Sequence, residues 1–297
     1  MTRWTHALVG VLVASCLLSA QDAQARRART TRLRAMTFNI RFDFPDDGSN
    51  RWNRRADVVA KTIRAAQAHL VGLQEDKAHQ VDDLRARLPE YGFVGRGRNA
   101  SGSGERCSIL YDKKRFRLKD SGSFWLSDTP EVPGSNTWGD KYPRVVTWAH
   151  LVSKKSKKNL LLLNTHLPEG DRSARLRRKG IEVIARFLQA RAKTLRKKRF
   201  AVILTGDFNE DAAESSPHDE LTGGNELRLT DAWEAAPPSG KRPGTYNGFR
   251  GLQTRSRIDW ILVGGPVRVF RADKIDQEID GRWPSDHYPV IADLEIF

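Results

Sequence analysis

Two periods alternate along the chain, and the change from one to the other divides it into elements. A period of two, or a short unbroken apolar run, marks a strand. Such stretches fall at 33–40, 71–75, 91–94, 107–111, 116–126, 144–152, 160–165, 200–205, 257–263, 267–271 and 288–296. A period near 3.6 marks a helix. Val58, Val59, Ile63, Ala66 and Leu70 make one such stripe over 56–70. A second helix is predicted over 77–88, where Pro89 stops it. A third, long and basic, covers 172–195 and turns Leu176, Ile181, Ile184, Ala185 and Leu188 to one side. The lysine-rich stretch 153–159 reads as a hairpin tip and the Gly/Ser stretch 101–104 as a loop.

Strands and helices interleave, yet many strands follow one another through hairpin-like turns. The pattern predicts an α+β chain with mixed sheets covered by helices. No linker splits it, so a single domain is expected over 35–297, behind a loose basic leader, 26–34. The first 25 residues differ in character. Arg3 precedes an apolar run from Ala7 to Ala20, and Ala23-Gln24-Ala25 has the form of a cleavage site. This reads as a signal peptide and predicts a secreted or periplasmic protein. Cys16 follows a lipoprotein-like Val13-Ala14-Ser15, but the apolar run continues past it, which speaks against a lipid anchor there. No later segment is long and apolar enough to span a membrane, so stable membrane insertion is not expected. Cleavage leaves Cys107 without an intrachain disulfide partner, and it precedes a strand as a buried thiol would.

Charge adds one hint. Lys and Arg number 51 and Asp and Glu 36, a net charge of +15 in 297 residues. A basic surface suits polyanions, although the same charge serves solubility.

The chemistry gathers at strand ends. "MTFNI" carries Asn39, "LVGLQED" Glu75, "LLLNTHL" Asn164 and His166, and "VILTGDFNE" Asp207 and Asn209. "RIDWILV" holds Asp259 just inside a strand, and "WPSDHYPV" puts Asp286 and His287 just before one. Each has an ordinary use: Glu75 can cap the next helix, and Asp207 and Asn209 can close Asx turns. Converging on one rim, as active-site groups do in layered folds, they would gather carboxylates, amides and two imidazoles. Carboxylate and amide oxygens suit a hard cation such as Mg²⁺ or Mn²⁺, and neither a His-x-x-x-His nor a cysteine cluster favours zinc. Cation, general base and basic groups together favour phosphoryl chemistry.

In this order and spread over the chain, Asn39, "LQE", "NTHL", "GDFN", "RIDWIL" and "SDHYPV" resemble the endonuclease/exonuclease/phosphatase superfamily, and a bacterial branch of it related to the deadenylase-like members. The resemblance covers about 33–297. It implies a DNase I-like, four-layered αββα sandwich and an Mg²⁺-dependent (or Mn²⁺-dependent) hydrolase acting on phosphoric esters. It implies Glu75 as principal metal ligand, helped by Asn39 and Asp286. Asp207 then activates the attacking water and Asn209 orients it, while His287, held by Asp259, contacts the scissile phosphate. His166 stabilises the transition state or protonates the leaving oxygen. Arg144 and Asn164 become phosphate contacts. One departure stands out: apurinic endonucleases carry an acidic residue two positions after the first-strand Asn, where this chain has Arg41. In the loop that follows, Trp52, Arg54 and Arg55 can grip a base or sugar phosphate, or Trp52 can pin the loop to the core.

The expected function is an exported nuclease acting as a monomer on phosphodiester bonds of nucleic acid. Alternatives are a phosphatase or phosphodiesterase on small molecules, such as sugar phosphates or lipid headgroups, and a non-catalytic nucleic-acid-binding module.

Overall fold

The computed structural model describes residues 30–297 apart from 215, 224–228, 239 and 242. The expected signal peptide 1–25, Cys16 and the first residues of the leader lie outside these. The first strand, β1, is Thr31–Asn39, so it starts two positions before the expected strand 33–40 and takes in the last four positions of the expected leader. Arg32 and Arg34 hide it from a hydropathy reading, but Leu33 and Ala35 are buried between and beyond them.

The strands form two mixed sheets, as expected, of six strands each. The first runs β11 (Val267–Lys274), β12 (Val290–Ile296), β1, β2 (Leu70–Gln74), β4 (Ile109–Asp112) and β3 (Tyr91–Val94). The second runs β5 (Phe116–Trp125), β6 (Val145–Ser153), β7 (Asn159–His166), β8 (Ala201–Asp207), β10 (Asp259–Gly264) and β9 (Thr230–Asp231). Each sheet has one parallel pair, β1 with β2 and β7 with β8; its other pairs are antiparallel.

Period-two alternation then settles the layers. Leu33 and Ala35 of β1 face Leu160, Leu162, Ala201 and Ile203 of the other sheet. The intervening Met36 and Phe38 face outward onto Trp52, Val59, Ile63 and Leu84, from helices α1 (Trp52–Ala65) and α2 (Ala78–Arg87). On the far side, Leu161, Leu163, Val202 and Leu204 pack under Ile181, Ile184 and Leu188 of α3 (Ala174–Lys197). The result is the four-layered αββα sandwich. Each fully buried Leu, Ile or Phe contributes about 1.5–3 kcal/mol, so a core of this extent needs no disulfide. Cys107 is a free, buried thiol beside Trp125 and Val145. Two short helices, α4 (Ser216–Thr222) and α5 (Ala232–Ala235), lie in a region where no element is expected from the pattern.

At one end the inner faces turn polar. Gln74 donates to Thr37 Oγ1 at 3.0 Å and to Asn164 Oδ1 at 2.7 Å, and Thr205 Oγ1 donates to the same Oδ1 at 3.1 Å. The sheets approach closely here. A Cβ on Gly72 of β2 would come within 2.2 Å of Thr205 Oγ1, so only glycine fits. This polar layer is the floor of the site.

Candidate active site

The floor ends one alternate position short of the rim, and the next inward-facing positions carry the chemistry. In the register of the second sheet, Asp207 pairs with His166 on one side and with Asp259 on the other. Asn39 comes across from the first sheet at the end of β1. Its Nδ2 donates to Asp207 Oδ2 at 2.9 Å and to Glu75 Oε1 at 3.0 Å. Glu75 sits just past β2 with φ of 66°, a left-handed turn unusual for a side chain of this size. The turn breaks the alternation and swings the carboxylate to the rim, where Phe42 N–H donates to its other oxygen at 3.1 Å.

Asp286 and His287 arrive on the segment before β12. Asp259 Oδ2 lies 2.9 Å from His287 Nδ1, and the opposite ring nitrogen lies 3.8 Å from Asp207 Oδ2. Asn209, also left-handed at φ 50°, donates its backbone N–H to Asp207 Oδ1 at 2.9 Å. Its Nδ2 lies 3.0 Å from His166 Nε2. Glu75, His166, Asp207, Asn209, Asp286 and His287 thus line one cleft of about 650 Å³.

Burial sets the charge states. It pushes the Asp207 carboxyl up to about 7, with the Asp259 charge adding to the effect and His287 opposing it. Burial works against a charged His287, yet Asp259 and Asp207 hold its ring well above the ordinary histidine range. His166 goes the other way: burial, then the positive charges of Arg144 and His287, keep it well below that range. The site therefore holds one cationic and one neutral imidazole on either side of one carboxyl.

Not every expected residue stands where it was expected. Asn164 is fully buried in the floor and does not reach the cleft. Its Oδ1 accepts from Gln74 and Thr205, and its Nδ2 donates to Leu73 O at 2.6 Å and Ser108 O at 3.0 Å, so no valence is left for a phosphate. Asn39 turns hydrogens, not an oxygen, towards the carboxylates, and Arg41 N–H takes its Oδ1 at 3.0 Å. It is placed to align two carboxylates rather than to ligate a cation. Arg144 bonds Asp140 at 3.1 Å and lines an adjoining recess with His166, Arg98 and Glu105. Trp52 is buried with its indole N–H on Asp83, and Arg55 is buried, so neither grips a substrate; Arg54 is exposed on α1.

Two cleft residues carry no sequence signal of their role. The Arg41 guanidinium is anchored on Asp47 at 3.1 Å and lies 3.9 Å from Asp286. Tyr246 is 42% exposed and sets its ring edge-to-face against His287, 5.4 Å between centroids. The long irregular stretch before β10 gives Tyr246 no periodic context from which to read it.

Of the four carboxylates that line the cleft, Glu75, Glu169, Asp207 and Asp286, the resemblance assigns Glu75 and Asp286 to a hard cation. One or two carboxylates, with water and substrate oxygens completing the shell, suit Mg²⁺. Among the described residues, three ligand atoms lie within 4.8 Å of one another in two groups, neither of which contains Glu75 or Asp286. Asp207, Asp259 and His287 form the first, already tied by the His287–Asp259 hydrogen bond. In the second, His218, Asp231 and Glu234, Arg257 supplies the positive charge at 2.8 Å from Asp231.

A model of the "Endonuclease/Exonuclease/phosphatase family" matches residues 36–287. The chain belongs to that family. Solved family proteins overlay most of it. An endonuclease/exonuclease/phosphatase from Bacteroides vulgatus is 31% identical, with TM-score 0.81, over 90% of this chain and all of that one. A Bacteroides thetaiotaomicron mannosyl-6-phosphatase is 29% identical, with TM-score 0.79, over 89% of this chain and all of that one. D. rerio TDP2, solved with a single-strand DNA product, is 21% identical, with TM-score 0.67, over 89% of this chain and 99% of that one, and shares the fold. Among curated proteins, the uncharacterised protein R895 of Acanthamoeba polyphaga mimivirus is 23% identical over 182 residues, 49% of this chain. The chain matches about a quarter of that protein's length, 26%. Members of the family are phosphoesterases, and the acidic and histidine groups of this site are of the kind that holds a divalent ion. No helix of the described residues is long and apolar enough to cross a membrane.

Proposed function

We propose that the protein hydrolyses phosphate esters by attack of water on phosphorus, and that its substrate is a small phosphorylated molecule, with sugar phosphates the first class to test. The observation that carries this reading is the convergence of Asp207, Asn209, His166 and His287 on one cleft with Glu75 and Asp286. A volume of about 650 Å³ is within the range of small-molecule sites. The walls carry four carboxylates, Glu75, Glu169, Asp207 and Asp286, against Arg41 and two histidines. Arg41 and His287 are the cleft's cations, too few to give a polyanionic strand a basic track through it. The 29%-identical mannosyl-6-phosphatase points the same way.

The roles proposed are those the resemblance implies, and the geometry supports them. Asp207 accepts the proton of the attacking water, which needs its carboxylate form. The Asn209 amide orients that water. Cationic His287, fixed by Asp259, faces the phosphoryl oxygens as negative charge grows on them. Neutral His166, with Nε2 on the Asn209 amide, has no proton to give; it makes a polar contact that stabilises the transition state, and the leaving oxygen takes its proton from water. Glu75 and Asp286 would hold the divalent cation, which when bound supplies Lewis-acid stabilisation of a phosphoryl oxygen. Mg²⁺ is the ion proposed, with Mn²⁺ as substitute, and export follows from residues 1–25.

Nucleic acid is the second reading, supported by the +15 charge. The purified protein with Mg²⁺, Mn²⁺ or EDTA, offered sugar phosphates, plasmid DNA and RNA, separates the two. Phosphate release from the monoester is expected, abolished by EDTA and reduced about a hundredfold or more in Asp207→Ala. Cleavage of DNA or RNA without monoester turnover would reverse the order. Equal turnover by Asp207→Ala would remove the assigned base.

A further inference from the structure

The sequence carries three basic runs that the active site does not use, separated from one another by up to about 80 positions: 113–115, 154–158 and 197–199. The topology brings them together. Lys113, Lys114 and Arg115 fill the turn between β4 and β5. Lys154, Lys155, Lys157 and Lys158 fill the turn between β6 and β7. Lys197, Lys198 and Arg199 close α3 just before β8. Since β5, β6, β7 and β8 are consecutive neighbours, the three turns stand side by side along one edge of the second sheet. Pairing fixes this: Phe116 opposes Ser153, Val152 opposes Asn159 and Leu160 opposes Ala201. Lys154 N–H donates to Arg115 O at 2.8 Å, joining two of the turns directly.

This edge is the opposite end of the sandwich from the cleft. Asn39, His166 and Asp207 close β1, β7 and β8, whereas the basic turns lie where β7 and β8 begin. Nine residues of β1 put about 25–30 Å between the two ends. Among the described residues, none of the ten side chains has an ion-pair partner; Arg32 at the start of β1 pairs with Glu295 at 3.4 Å. A depression of about 550 Å³ opens here, walled by Thr30, Arg32, Lys114, Arg115, Lys154 and Lys155, with Glu295 the acidic group in its wall.

We infer that this end of the molecule docks on a lipid bilayer bearing anionic headgroups, with the catalytic cleft facing away. The array is two-dimensional. It extends over about three strand spacings along the sheet edge and across to the first sheet, about 10 Å away. A planar field of anions engages such an array at once, whereas one linear polymer touches a single row of it at a time. The chain also enters β1 at this end, directly after Arg26, Arg27 and Arg29 and ten positions after the apolar run 7–20. A membrane that holds or has just released that run meets this face first. Attraction to anionic lipid adds up over such a cluster and falls off within a Debye length.

The test is co-sedimentation of the full chain with vesicles of phosphatidylcholine alone or mixed with phosphatidylglycerol. The comparison protein is the quadruple variant Lys113→Glu, Lys114→Glu, Lys154→Glu and Lys155→Glu. All four side chains are exposed, and thermal unfolding is expected at the wild-type temperature. Wild type should bind the phosphatidylglycerol vesicles at least about tenfold more than the neutral ones, and the variant should lose that preference. Equal binding to both vesicles, or equal binding by wild type and variant, overturns the inference. So does a result in which the four lysines govern retention of duplex DNA while anionic vesicles are ignored.

Discussion

Two positions along one strand separate Asn164 from His166, and both side chains point between the sheets. His166 lies at the rim, and Asn164 lies one pleat deeper, where the sheets touch. There it saturates both ends of its amide on Gln74, Thr205, Leu73 and Ser108. Removing it strands buried partners, each costing about 1–3 kcal/mol. Asn164→Ala should therefore lower Tm by roughly 5–15 °C, while kcat/KM of the folded enzyme stays within about threefold of wild type. A raised KM at unchanged Tm would return Asn164 to the substrate. The strand-end signature in the sequence finds both residues but has no means of ranking their depth, because depth depends on how far the facing sheet extends. Asn39 shows the same limit. Its place at a strand end is legible, but the direction of its amide is set by the facing Asp207, 168 positions away.

Elements were legible where their period was sustained over several turns. The long basic helix, both earlier helices and the long strands fall close to expectation. The loop between β1 and α1 did not. Its Trp and Arg residues look like a grip for a ligand, yet the helix starts at Trp52, four residues earlier than its apolar stripe suggests. Arg55 lies inside that first turn, fully buried, and burial lowers its guanidinium to about 10. It donates to Asn50 O at 2.5 Å, Ile40 O at 2.9 Å, Pro284 O at 2.8 Å and Arg41 O at 3.2 Å. One side chain thus ties the end of β1, the Arg41 loop and the segment that delivers Asp286. Arg55→Met keeps the stem and removes all four donors. The expected result is faster amide exchange over 41–50 and 284–287 and a fall in kcat of about tenfold or more, with Arg55→Lys intermediate. Unchanged exchange in both segments would show that Arg55 does not position them.

At the scale of the molecule, one cluster of cations among the described residues lies apart from the chemistry, and a total of +15 conceals it. The sandwich places the active-site carboxylates and histidines at one end of the strands and three lysine-arginine turns at the other. Composition alone makes this look like a surface made for nucleic acid. Topology was needed to see that these ten cations stand about 25–30 Å from the phosphoryl chemistry, beyond about two Debye lengths at moderate salt. At that separation they steer a small substrate weakly. For a sugar phosphate, kcat/KM should therefore fall by less than about threefold between roughly 50 and 500 mM salt. A polyanion threading the cleft and spanning the basic end would release many counterions and lose affinity by orders of magnitude over the same range. The salt dependence of kcat/KM, measured on monoester and oligonucleotide side by side, thus reads out which end of the molecule the substrate touches. A steep slope for the monoester would mean that the cleft feels the distant cations after all and that the two ends act as one surface.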